Sequence, residues 1–273
     1  MFDPEAVRHF EHSGWEQAAA DYNATFAHAT VGFVDALLDA AEVAPGVQVL
    51  DLCCGTGIVT KAAARRGAIP TGIDFSEAML AQARRTHPDL NFEQGDAEAL
   101  PYPDGMFAAA VSNFGMHHIP RPELAAAEAH RILRPGGRFA FTTWAAPVEN
   151  AAWRLLFDAI RMHGDPAAAA KTPPSGGTLA SPEAAEKLLR SAGFTNTAVE
   201  ILHREWGLEG AADLIGALRR GTVRTAALIA AQPADAIPDI LASIEAGMAE
   251  YRRGNGFAVP IVAILASGTK SAG

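Results

Sequence analysis

Residues 49–60, VLDLCCGTGIVT, begin as a short apolar run interrupted by a carboxylate, Asp51, and turn through Cys54-Gly55-Thr56-Gly57 before a helical pattern resumes. Glycine is demanded where a side chain would keep the backbone from what lies against it, or where φ must be positive. In an open parallel sheet, ligands sit beyond the carboxyl ends of the strands, at turns of this kind. A lone Gly-x-Gly does not identify the ligand, because many strand-to-helix turns carry one for steric reasons.

Working outward, residues 47–52 suit a strand buried on both faces, and residues 58–66 return to helix and stop at Gly67. The alternation repeats with strands at 69–74, 90–94, 106–112 and 138–144. Between them lie a helix capped by Ser76 that ends before Pro88 and a second helix over 122–133. A helix follows over 151–162, and then a loop, 164–177. Another helix is capped by Ser181, and a strand runs over about 197–205. Helical segments at 211–231 and 236–253 precede a last strand over 260–266. This rhythm predicts an α/β fold: a doubly wound, Rossmann-like, seven-stranded, mostly parallel sheet with helices on both faces and a helical cap inserted before the last strand. Pro260 is awkward in an interior strand, so pairing is expected to begin only after it. The expected division is an N-terminal helical cap segment, 1–43, a core of 44–206 with 256–273, and a cap insertion, 207–255.

The 273 residues, 49% hydrophobic and 19% charged, are enough for a full core, and the formal net charge is −9. An acidic surface repels phosphate backbones and anionic headgroups, so neither nucleic acid nor a membrane is an expected partner. Residues 1–12 lack the apolar stretch of a secretory signal, and the apolar run 257–266 is too short to span a bilayer. The expectation is a soluble, cytoplasmic protein. Its two cysteines, Cys53 and Cys54, are adjacent, which gives no disulfide framework and a poor metal site. No metal is expected.

Three acids sharpen the reading of the turn: Asp51 at the first strand, Asp74 at the end of the second and Asp96 after the third. Asp74 follows the loop at about the distance at which an acid receives ribose hydroxyls. The third glycine of a dinucleotide fingerprint is missing, and Thr60 stands there. Asp51 would repel a pyrophosphate and attract an ammonium or sulfonium. Each acid alone could be a turn former or helix cap.

VLDLCCGTG resembles the first motif of class I S-adenosylmethionine-dependent methyltransferases. GIDFSEAML resembles their second-strand motif, GDAEALPYPDGMFAAAVSNFGMHHI their third and fourth strand region, and ILRPGGRFAFTTW their fifth. The likeness covers about residues 22–144, and its closest flavour is the small-molecule branch that includes the ubiquinone/menaquinone C-methyltransferases. Cys53 departs from the glycine that many members carry. The resemblance implies S-adenosyl-L-methionine as cofactor, with Asp51 near its ammonium and the backbone of Cys53, Gly55 and Gly57 against it. It further implies Asp74 on the ribose hydroxyls, Phe75 and Met79 near adenine, and Asp96 and Ala97 at the adenine amino group. Asn113 and Phe114 would flank the methionine moiety, and Tyr22 would reach its amino-acid end. Trp15 is a further candidate for closing over it, although Tyr22 and Trp15 also suit plain helix packing.

Methyl transfer from a sulfonium needs alignment and exclusion of water, and a base only where the nucleophile must lose a proton. His118 and, second to it, His117 stand on the rim where such a base belongs. His163 and His203 are weaker candidates. SNFGMHH replaces the Asn-Pro-Pro-Tyr type motif of amino-methylating enzymes, so a small organic acceptor is expected. Its pocket should be roofed by the N-terminal helices, residues 151–177 and the helical block 207–255, which carry Trp153, Phe157, Met162, Trp206, Leu214, Tyr251 and Phe257. Two rivals remain: a non-catalytic S-adenosylmethionine binder and a nicotinamide-dependent oxidoreductase. Oligomeric state is not legible.

Overall fold

The alternation of apolar strand and amphipathic helix builds one sheet, in a computed structural model that describes residues 2–173 and 179–271. Three helices come first: α1 (Pro4–Ala18), α2 (Ala27–Thr30) and α3 (Val34–Ala40), with a 3-10 turn at Tyr22–Ala24. Then follow β1 (Gln48–Leu52), α4 (Ile58–Arg65), β2 (Ile69–Asp74), α5 (Glu77–Thr86), β3 (Asn91–Gln94), β4 (Phe107–Asn113), α6 (Pro122–Ile132) and β5 (Leu133–Trp144). The remainder is α7 (Ala151–His163), α8 (Pro182–Ser191), β6 (Phe194–Leu208), α9 (Ala211–Gly221), α10 (Arg224–Ala230), α11 (Ile237–Met248), β7 (Arg252–Arg253) and β8 (Gly256–Lys270).

Strand order is β3-β2-β1-β4-β5-β8-β6, with β7 paired to β8. Strands β1 to β5 pair in parallel, and β8 runs antiparallel between β5 and β6. The order reverses between β1 and β4, so the turns after these two strands open onto a crevice. Apolar clusters fill both sides of the sheet. One holds Leu50, Leu52, Phe139 and Phe141, and another holds Leu37, Leu38, Val49 and Val111.

Several boundaries differ from expectation for physical reasons. The two-residue β7 adds an eighth strand. Strand β8 starts at Gly256 and carries Pro260 inside it, in register with Glu205 of β6. Pairing to β5 reaches only to Ala263, opposite Trp144, so at Pro260 one side of β8 has no neighbour requiring an amide donor. Within the expected loop 164–177, Pro166–Lys171 is a 3-10 helix whose preceding Asp165 caps Ala167 N. Residues 174–178 lie outside the described residues.

Helices α7, α9 and α11 pack as one block around Phe26, whose ring meets Trp144, Trp153 and Trp206 edge-on at 6.0, 6.0 and 5.7 Å. The chain leaves β5 for α7 under the control of Asn150, which is buried. Its amide donates to the carbonyls of Ala145 and Val262 and accepts from Val262 N at 2.7 Å. Asn150→Ala would orphan these backbone groups, which are bonded by a side chain only 1% exposed. Urea unfolding should show a loss of about 3 kcal/mol; a change below about 1 kcal/mol would mean that the staple contributes little.

Candidate functional site

Beyond the carboxyl ends of β1, β2 and β4 lies a cleft of about 970 Å³, partly open to solvent. It is bordered by Tyr22, Asp51, Cys53, Gly55, Asp74, Phe75, Met79, Asp96, Ala97, Asn113, Phe114 and His118, all singled out from sequence, together with Trp15. Of the residues assigned to cofactor binding or to the base, Gly57 and His117 do not border it.

The turn after β1 explains this arrangement. Cys53 and Gly55 have φ of 56° and 53°, and Gly57 has 82°. For Cys53, with a Cβ, that conformation costs on the order of 1–2 kcal/mol and turns the backbone toward the cleft. A side chain at Gly55 would meet only the Met79 sulfur, at 4.0 Å, so the space it leaves belongs to the cleft. Gly57 has a different reason for being glycine: a Cβ there would come within 2.6 Å of the Phe92 ring. It starts α4 and packs inward.

Asp51, 1% exposed, accepts from the Thr60 hydroxyl at 2.6 Å. Thr60, at the place of the missing third glycine, thus serves the carboxylate. Asp74 accepts from Gly55 N at 2.8 Å and Ser76 N at 2.9 Å, tying the first turn to the second. Burial pushes the Asp51 carboxyl up to about 7, against the pull of Thr60 and with a further push from Asp74. Burial likewise raises Asp74 to about 6. Among the described residues no cation pairs with either carboxyl, and together they would oppose a pyrophosphate. Burial also drives the Cys53 and Cys54 thiols well up, so neither is a ready nucleophile.

On the far wall, Phe114 has φ 58° and stacks on Trp144 with centroids 4.0 Å apart. The Thr142 hydroxyl donates to Asn113 Oδ1 at 2.7 Å and accepts from Phe114 N, which fixes both residues on the rim. Tyr22 approaches Thr30 through its hydroxyl at 3.4 Å, and burial raises it as an acid. His117 and His118 share a 3-10 turn but part ways. His117 lies 3.3 Å from the Thr143 hydroxyl and is held well below the ordinary imidazole range by burial, then by His118 and Arg224. His118 faces the cleft, with the edge of Trp15 at 4.9 Å.

The polar residues through which the N-terminal segment meets the rim were not singled out from sequence. Helix α1 lies across the cleft: Arg8 pairs with Asp96 and, at 2.7 Å, with Glu98, while Glu16 accepts from the Ser76 hydroxyl and Ala78 N. Arg8, Glu11, His12 and Trp15 fall at helical spacing on one face, but in sequence a polar face of this kind reads as solvated. The aromatic roof expected from the cap is corrected. Trp153, Trp206, Leu214 and Phe257 are buried around Phe26, Phe157 and Tyr251 pack against them, and Met162 is exposed. None borders the cleft. Nor do His163 and His203, both of which lie outside its lining. Among the described residues there is no cluster able to hold a metal, and no helix is long and apolar enough to cross a membrane.

With this geometry in place, comparison with known proteins identifies the lineage. The methyltransferase domain family matches residues 49–137. A demethylmenaquinone methyltransferase of Thermus thermophilus is 34% identical over 171 residues, which is 57% of this chain and 77% of that protein. The chain belongs to the methyltransferase family. A second demethylmenaquinone methyltransferase, from Paenarthrobacter aurescens, is 37% identical over 135 residues, 50% of this chain and 53% of that protein. The chain spans about half the length of the curated relatives it matches first. A solved SAM-dependent methyltransferase of Thermotoga maritima shares the fold with a TM-score of 0.57 at 19% identity, covering 96% of this chain and all of that one.

The raised carboxyls carry a signed consequence. Between its ordinary value of 3.8 and its folded value of about 7, Asp51 binds a proton in the native state but not in the unfolded one. Its contribution to stability therefore falls as pH rises through that window. Asp51→Asn is neutral throughout and keeps an acceptor for Thr60. Relative to the wild type without ligand, the variant should gain on the order of 3 kcal/mol in urea unfolding between pH 4 and pH 8. Parallel stability curves for the two proteins would show that Asp51 is an ordinary acid.

Proposed function

We propose that this chain transfers a methyl group from S-adenosylmethionine to a small organic acceptor at the cleft above β1, β2 and β4. The observation that carries this reading is the pair of buried, uncompensated carboxyls, Asp51 and Asp74, on either side of a glycine turn open to the cleft. A ligand with an ammonium, a sulfonium and a ribose diol matches both acids, and membership of the family supports it. When bound, S-adenosylmethionine supplies an electrophilic methyl carbon.

The residues present fit this group. Asp51 would hold the ammonium and Asp74 the ribose hydroxyls, with the backbone of Cys53 and Gly55 against the ligand. Phe75 and Met79 would face adenine, and Asp96 with Ala97 its amino group. Asp96 already receives Arg8 and, at Oδ1, Glu98 N, so adenine would share that acid with α1. Asn113, Phe114 and Tyr22 would bound the methionine end. Trp15 and α1 exclude water, and His118 is the base where the acceptor must lose a proton.

The acceptor space is bounded by Trp15, Tyr22, Phe114, His118, Ile119 and Pro120, an apolar and aromatic wall suited to an apolar or aromatic metabolite. The relatives named demethylmenaquinone methyltransferases support carbon methylation of a hydroquinone-like ring; oxygen methylation uses the same arrangement. On this reading residues 44–206 with 256–273 form the cofactor-binding core, 1–43 cover the cleft, and 207–255 are an inserted cap packed beside it around Phe26. The net charge of −9 supports a cytoplasmic protein that works without nucleic acid or membrane. The closely packed cluster around Phe26 favours a second reading, a binder without turnover, because the cap contributes no wall to the cleft.

Calorimetric titration with S-adenosylhomocysteine should give saturable binding, and Asp74→Ala should weaken it at least about thirtyfold with the far-ultraviolet dichroism unchanged. Unchanged affinity in that variant removes the ribose assignment, and absence of binding in the wild type removes the proposal. Methyl incorporation from labelled S-adenosylmethionine into reduced 1,4-naphthoquinone or catechols separates the enzyme from the silent binder.

A further inference from the structure

Glu11 stands in the middle of α1, in the stretch HFEHSGWE, where an acid ordinarily faces water. It is 0% exposed. A buried carboxylate is tolerated only with partners that offset its lost hydration, and Glu11 has two, from distant parts of the chain. Its Oε2 lies 3.0 Å from His118 Nδ1, and its Oε1 lies 2.7 Å from Nε of Arg224, the first residue of α10. The second contact is one of charge without hydrogen-bond alignment. Arg224 is held there from other sides, donating to the Pro173 carbonyl at 2.7 Å and lying 5.5 Å above the Phe10 ring. Helix α1 comes this close to α10 because residue 14 is glycine: a Cβ would stand 2.3 Å from Val223 Cγ1.

An ionised carboxylate can only accept, so the proton between Glu11 and His118 sits on Nδ1. The other carboxylate oxygen, Oε1, faces the Arg224 guanidinium. The imidazole is then left with an unprotonated Nε2, on a ring that borders the cleft and is flanked by Trp15 and His117, with ring centroids at 4.9 and 4.1 Å.

We propose that Glu11 is the positioning residue of the site: it fixes His118 in the Nδ1-protonated tautomer, with Nε2 ready to accept, and so selects acceptors that carry an acidic hydroxyl, a phenol, enol or hydroquinone. This rests on the methyltransferase reading above. In the step it serves, a bond forms from the acceptor's oxygen, or from the ring carbon conjugated to it, to the methyl carbon. The sulfur–carbon bond breaks and leaves its electron pair on sulfur. His118 takes the hydroxyl proton at Nε2, so the positive charge lost from the sulfonium reappears on the imidazolium beside Glu11. Release of that proton to water restores the base; where a ring carbon was methylated, loss of its hydrogen to water restores aromaticity.

The test is nitrogen-15 NMR of histidine-labelled full-length protein at neutral pH, with the His118 signals assigned through His118→Gln. Neutral His118 in the wild type should carry its proton on Nδ1, and in Glu11→Gln a substantial fraction should move to Nε2. With reduced 1,4-naphthoquinone as acceptor, Glu11→Gln should lower kcat at least about tenfold while the KM for S-adenosylmethionine and the Kd for S-adenosylhomocysteine stay within twofold. Glu11→Asp should recover part of kcat. A wild-type His118 protonated on Nε2 overturns the proposal without any variant having to fold. So does a Glu11→Gln protein with wild-type tautomer and kcat. Failure of the wild type to bind S-adenosylhomocysteine would instead remove the methyltransferase reading and leave the tautomer result standing.

Discussion

Two carboxylates in a low-dielectric rim, Asp51 and Asp74, set the terms for everything around them. Their burial is forced by topology: both stand at carboxyl ends of central parallel strands, where helices cover both faces of the sheet. Thr60 and the amides of Gly55 and Ser76 supply hydrogen bonds but no charge, so the folded protein without ligand carries an electrostatic cost that a cation can relieve. The strained turn at Cys53 and the open space at Gly55 follow from the same requirement, because the backbone must leave room for whatever brings that charge.

The rim was legible in the sequence because each of its parts has a local signature. An apolar run closing on an acid and two glycines is a strand-to-helix turn whatever follows, and Asp74 and Asp96 repeat the pattern at the next two strands. Gly57 shows the limit of such reading: the residue type was right for a tight turn, yet its cause is the Phe92 ring, contributed by a strand 35 residues further on (92 − 57). Sequence spacing also could not separate His117 from His118. A single 3-10 turn sends one toward Thr143 and the other to the cleft, and only the three-dimensional neighbours distinguish adjacent side chains.

What was illegible shares one physical origin, long-range pairing of polar groups. Asn150 looks like an ordinary loop residue until Val262, 112 positions later, comes beside it. Arg8 and Glu11 look like the solvated face of a surface helix until the third strand's turn and α10 arrive. The aromatic residues of the cap misled in the opposite sense. Their number suggested a lined pocket, but Phe26 from the N-terminal segment fills the space between Trp144, Trp153 and Trp206. Apolar side chains without a polar member among them pack on one another rather than hold a cavity open.

Helix α1 therefore has a part that its sequence hides. Its contacts with the rim are of two kinds: polar ones from Arg8 to Asp96 and Glu98, Glu11 to His118, and Glu16 to Ser76 and Ala78 N, and apolar ones from Trp15 and Ala18, which pack with Met79 and Ala78. Exposed polar contacts contribute little net stability each, so the apolar cluster beneath Trp15 and Ala18 carries much of the attachment and the polar contacts fix its register. Glu11 is the exception, fully buried and bound to both the cleft histidine and the inserted helices. The seat of α1 and the orientation of His118 are then one arrangement: the helix that brings the imidazole its carboxylate also covers the cleft where water would compete for the methyl carbon.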